Sequence, residues 1–166
     1  MSALPAGPDP IADQDHTHGW IRALLEAVTS AVLETQPGLM AFGDHRPERD
    51  RPSGGAWRGL ETMCHVSALL ASAHAPEPGS AQQLLEAADG TAASRGLRRR
   101  SEREENGVRA TTWSSDRGDL LEVIVGVRVA IRAISAPFLP GSLRPASTTS
   151  PDSPISPLTP PPRRLR

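Results

Sequence analysis

The chain has 166 residues, enough for one domain of ordinary size with tails and too few for two well-filled cores. Its formal net charge of −1 excludes the strong positive field that holds nucleic acid or an anionic membrane surface. All 18 basic residues are arginine, as GC-rich coding sequence produces, which points to a high-GC bacterium. Cys64 stands alone, so an internally disulfide-braced fold is excluded.

Residues 1–16 are rich in proline, glycine and aspartate and read as a flexible lead-in to a single domain over 17–140. They show no basic segment followed by an apolar one, so no secretory signal is expected. From Thr17, the residues Trp20, Ile21, Leu24, Leu25, Val28, Ala31 and Val32 recur at helical spacing. Pro37-Gly38 ends that first helix.

Residues 43–56 have no apolar period and many turn formers, so a mobile loop is expected. A second helix is predicted over Trp57–Ala73. Trp57, Leu60, Cys64, Ala68 and Ala71 would lie on one face, Met63 and Leu70 near its edge, with Pro76 and Pro78 beyond. Ser80 and Gln83 have capping-box spacing and precede Leu84, Leu85, Ala88 and Ala92, a third helix closed by Gly96.

Beyond Gly96 the period falls to two. Leu97–Glu104 reads as a charged edge strand, Asn106-Gly107 as a tight turn, and Val108–Ser114 as a second strand. After a turn over Asp116–Asp119, the stretch Leu120–Ser135 alternates Leu121, Val123, Val125, Val127, Val129, Ile131 and Ala133 with Glu122, Gly126, Arg128 and Arg132. This predicts one long strand, with a bulge or bend at Gly126. The run is too short and too charged to cross a membrane, so a cytoplasmic location with no membrane partner is expected. Residues 141–166, with proline recurring from Pro145 to Pro162, predict a disordered or polyproline II tail.

Few residues invite a chemical role. Asp13, Asp15, His16 and His18 have ligand-like composition, but they precede a helix, where caps and dipole-facing carboxylates belong. Cys64-His65 lacks the geometry of a nucleophile and base, because neighbouring helical residues diverge by about 100°; Cys64 reads as a small core hydrophobe. Arg98, Arg99, Arg100 and Arg103 form a compact basic run whose field Glu102, Glu104 and Glu105 cancel, and stacking aromatics are missing nearby, so a solvated edge strand suits them better than a nucleic-acid contact. Ser150-Pro151, Ser153-Pro154, Ser156-Pro157 and Thr159-Pro160 would, in a eukaryote, suggest proline-directed phosphorylation or a ligand for an aromatic-lined groove. The spacing completes no P-x-x-P-x-R pattern, and a disordered tail with a basic end is the reading adopted. No nucleophile elbow, phosphate loop, dinucleotide fingerprint or paired-cysteine motif occurs, so no catalytic, cofactor or metal residue is assigned and no cofactor is expected.

The run Val108–Phe138, in which Trp113, Asp116 and Gly118 lead into the valine-rich stretch ending at Ser135, resembles small actinobacterial lipoproteins of the LppA type. With the capped helix before it, the resemblance covers residues 80–138. It implies helices on one face of an antiparallel sheet and no catalytic centre. A lipobox is missing, and Pro137 stands where those proteins place a cysteine, so neither lipid anchor nor covalent bracing carries over.

The expected architecture is therefore α+β, with three helices on one face of a three- to four-stranded antiparallel meander. Two functions are compatible with it. One is a non-catalytic accessory protein that meets a protein partner through the sheet face or the proline-rich tail. The other is a small-ligand binder or enzyme with a cleft between helices and sheet, using His65, His74 or Asp116.

Overall fold

A computed structural model describes residues 11–141. Strand β1 (Ala12–Asp13) leads into helix α1 (Gln14–Thr35), and a short 3-10 turn (Pro37–Leu39) follows. Then come β2 (Phe42–Arg46), β3 (Arg49–Trp57), β4 (Leu60–Val66), β5 (Leu69–Ser72) and helix α2 (Ala81–Ser94). The chain closes with β6 (Arg98–Glu105), β7 (Val108–Ser114), β8 (Leu120–Val125), β9 (Val129–Ile134) and β10 (Phe138–Leu139).

Among the described residues there are two α-helices and a ten-stranded mixed sheet, not three helices on a three- to four-stranded meander. The sheet runs β1-β10-β4-β9-β8-β7-β6, with β3 also paired to β4 and β5 bridging β2 and β9. All pairings are antiparallel except β1 with β10. Several strands are halves of longer bent ones. Arg49 pairs with Val66 and Arg46 with Leu69, so β2–β3 and β4–β5 form one long hairpin interrupted at Pro47-Glu48 and Ser67-Ala68.

The segment expected as a second helix is strand on both sides of its turn. Its apolar residues at intervals of three and four mimic a helical stripe, but Arg58 (φ 49°) and Gly59 (φ 80°) reverse the chain between Trp57 and Leu60. Both residues adopt the left-handed conformation that a two-residue hairpin turn requires. The expected loop over 43–56 is mostly the partner of that strand. It lies at the sheet margin with most side chains exposed, held by backbone pairing, so no apolar alternation marks it.

The expected long strand is strand, but it folds back on itself. Val125 pairs with Val129 across Gly126-Val127-Arg128, and the Gly126 N–H donates to the Arg128 carbonyl at 3.0 Å. An odd number of turn residues preserves parity, so alternation continues through the reversal and hides it. Val127, at 85% exposed, is the tip. Asn106 and Gly107, both with positive φ, make the hairpin turn between β6 and β7.

Both helices cover one face of the sheet. Ile21, Leu24, Val28 and Val32 of α1 and Leu84, Leu85, Ala88 and Ala92 of α2 pack on Trp113, Leu121, Val123, Val125, Val129, Ile131 and Ala133. Trp113 is fully buried, and its indole N–H donates to Asp89 of α2 at 2.7 Å. Helix α1 begins at Gln14 rather than Thr17 because Asp13 caps it, accepting the His16 N–H at 2.8 Å. The expected Ser80 cap is not made, since its hydroxyl donates to the Glu77 carbonyl instead.

Leu121 has no exposed surface, so Leu121→Ala should lower unfolding free energy in urea by about 2–5 kcal/mol. Val127→Ser, at the exposed turn, should change it by less than about 0.5 kcal/mol. Equal effects would contradict this division between core face and turn.

Candidate functional site

Two recesses flank α1. The larger, about 550 Å³, lies where the first turns of the helix meet the sheet margin. Helix α1 supplies His16, Thr17 and Trp20, the end of β3 supplies Trp57, and the turn after β7 supplies Asp116, Arg117 and Asp119. Its volume falls within the usual range for small-molecule sites, about 300–1,000 Å³.

Asp119 anchors the polar side of this cleft. It is 3% exposed; one carboxylate oxygen accepts the Ala136 N–H at 2.7 Å, and the other accepts the Ser115 hydroxyl at 2.8 Å and Arg117 at 3.3 Å. Arg117 also lies over Trp20, its guanidinium 5.5 Å from the ring centroid. Arg58 covers Trp57 in the same manner at 4.5 Å. The indole N–H of Trp57 is buried with no acceptor among the described residues. Buried donors are nearly always paired, so this one is short of a partner.

The second recess, about 420 Å³, lies between α1 and the interrupted β2–β5 hairpin, with Ile21, Leu25, Glu48, His65 and Leu70 among its walls. Beside it, three elements bring His18, Asp50 and His65 together, with one ligand-type atom of each lying within 4.8 Å of the others. His18 Nε2 lies 2.9 and 3.1 Å from the two Asp50 carboxylate oxygens. His65 Nδ1 lies 2.7 Å from Asp50 Oδ1, and His65 Nε2 lies 3.2 Å from Glu48 Oε2. The imidazole rings are 4.0 Å apart, and Phe138 meets His18 edge-on at 5.7 Å.

Strand geometry explains this placement. Asp50 and His65 are register partners on β3 and β4, so their side chains share a face, and α1 lays His18 across it. Cys64, one residue earlier on β4, points to the opposite face. The expected helical divergence of Cys64 and His65 is thus a strand alternation, and the thiol again has no imidazole base. Burial raises the Cys64 thiol above its ordinary value, with Asp119 adding to the rise and Arg51 opposing it.

The structure divides the candidates that the sequence offers. His65 meets two carboxylates beside a recess. Among the described residues His74 hydrogen-bonds through its backbone alone, its carbonyl accepting from Ser72 and its N–H donating to Leu39. Asp116 lines the larger cleft but is highly exposed, with Arg98 3.9 Å away. The N-terminal cluster disperses: Asp13 caps α1, His16 lines the cleft, and His18 reaches across to Asp50. Strand β6, carrying Arg98, Arg99, Arg100 and Arg103, is an exposed sheet edge, and Arg99 pairs with Asp89 and Glu102 at 3.3 Å each. The Ser/Thr-Pro steps of the tail lie outside the described residues. Sequence reasoning misses Asp50 and Glu48 because both fall in a stretch with the composition of a loop.

The raised Cys64 value has two consequences. At about pH 8, where a free thiol is partly ionised, alkylation of the folded chain should be slower than in urea. The thiol's contribution to stability is fully present below the unfolded-chain value and is lost as pH rises from there through the folded value, because the unfolded chain releases the proton first. Equal alkylation rates with and without urea would contradict this environment.

No protein-family model and no curated protein matches the chain. A solved structure does resemble it, that of a DUF4853 family protein from Actinomyces odontolyticus ATCC 17982, at a TM-score of 0.53 and 12% identity. The match covers 82% of this chain and 74% of that one. At that identity the likeness concerns the fold alone, and it does not bear on the LppA resemblance.

Proposed function

We propose that this chain is a non-enzymatic binding protein for a small planar molecule carrying a carboxylate, held in the cleft between α1 and the sheet margin. The observation that carries the reading is the pairing of two indoles with polar groups in one recess of about 550 Å³. Trp20 and Trp57 offer large, rigid apolar surfaces, on which a flat ring gains area burial and stacking. The Trp57 indole N–H is buried without an acceptor among the described residues. Arg117 presents a guanidinium, whose fork matches a carboxylate. Asp119 is already committed to Ser115, Arg117 and Ala136, which suits it to holding the turn rather than to proton transfer.

Titration of the full chain with indole-3-acetate, benzoate and neutral indole, followed by tryptophan fluorescence, tests this. Saturable changes are expected for the two acids at sub-millimolar to millimolar concentration, with weaker binding of indole. Arg117→Gln should remove the preference for the acids. No saturable change with any of the three at millimolar concentration would sink the reading.

A further inference from the structure

We propose that His18, Asp50 and His65 form a binding site for a divalent transition-metal ion, of which zinc is the best-suited member. The three donors come from α1, β3 and β4, so the site exists only in the folded chain. Two imidazoles and one carboxylate are a donor set that zinc and its neighbours accept, whereas magnesium and calcium prefer oxygen alone.

The two separations from Asp50 lie close to those of a loaded site. A tetrahedral ion bound at about 2.0–2.1 Å holds its ligand atoms about 3.3 Å from one another. His18 Nε2 and His65 Nδ1 lie 2.9 and 2.7 Å from Asp50 Oδ1, so those separations must widen by about 0.4 and 0.6 Å. Rotation of His18 and Asp50, each with a side chain 27% exposed, supplies that movement. The two imidazole rings are 4.0 Å apart between centroids. His65 is 3% exposed and forms the fixed wall of the site.

Glu48 supplies what a bare cluster lacks. Its carboxylate stands 3.2 Å from His65 Nε2, at the nitrogen that does not face Asp50. An ion bound between His65 Nδ1 and Asp50 Oδ1, now joined at 2.7 Å, would replace the proton they share and leave the ring N–H at Nε2, directed at Glu48. A carboxylate behind a ligating imidazole orients the ring and raises its basicity, as metal sites commonly require. Two carboxylates with two neutral imidazoles carry two negative charges, which a divalent ion balances. Three protein ligands leave a fourth position for water, reached through the exposed side of His18 and Asp50. Cys64 is excluded from the ligand set because it lies on the opposite face of β4.

The test uses the full chain, stripped with a chelator and titrated with zinc chloride by calorimetry, with cobalt(II) absorption reporting coordination. One ion per chain, a rise in Tm on zinc addition and a four-coordinate cobalt spectrum are expected. His18→Ala and Asp50→Asn alter partly exposed groups and should each weaken binding at least tenfold. Glu48→Ala should weaken it about 10–100-fold while leaving the stoichiometry at one, as loss of an orienting partner does. His74→Ala, remote from the cluster, should bind as the parent does. The proposal is overturned if no saturable binding occurs, if His18→Ala and Asp50→Asn bind as the parent does, or if His74→Ala loses the ion equally. Preference for magnesium or calcium over zinc would overturn it as well.

Discussion

Leu121, Val123 and Val125 on β8 point to the same side of the sheet as Val129, Ile131 and Ala133 on β9, because each residue of one strand pairs with one of the other. All six are buried, and α1 and α2 pack their apolar stripes on them. At about 1.5–3 kcal/mol for each large side chain, this contact outweighs any local preference elsewhere in the chain. Both recesses depend on it, since the position of α1 over the sheet sets their depth and brings His18 over β3 and β4.

The interruptions in the sheet matter as much as its regular parts. At Pro47-Glu48 and Ser67-Ala68 the two long strands bend together, and at Ser135–Pro137 the row of β9 and β10 bends beside them. Side-chain and backbone hydrogen bonds hold the bends: the Ala133 N–H donates to Ser67 Oγ at 2.9 Å, and the His65 N–H donates to Ser135 Oγ at 2.8 Å. Short hydroxyl side chains thus satisfy backbone groups that the broken ladder would leave unpaired. The same bends leave Glu48 facing His65 and Ala136 facing Asp119, so each recess has its polar group beside a break in the sheet.

The placement of these polar groups is poorly legible in the sequence. His65 can be singled out as a titratable residue, but its partners cannot. Glu48 and Asp50 sit among arginines, prolines and glycines with no apolar period, in a strand that needs only its backbone to pair. Trp57 has the spacing of one helical stripe and Trp20 that of another; that both line one cleft follows from the return of β3 to the helix. Cys64 and His65 diverge across a strand rather than around a helix. The thiol lacks an imidazole base in either geometry.

By itself, the sequence determined the two amphipathic helices, the β character of Leu120–Ser135 and the reversal at Asn106-Gly107, because period and left-handed turn residues act over a few neighbours. Only the tertiary structure decided that Trp57–Ala73 is mainly strand, that residues 43–56 pair beside it, and that β8 and β9 are two strands rather than one. Spacings of three and four are ambiguous in a short run, an exposed edge strand carries no apolar signal, and a three-residue turn leaves alternation unchanged. In each case the deciding free energy comes from pairing with distant backbone, which no local window contains.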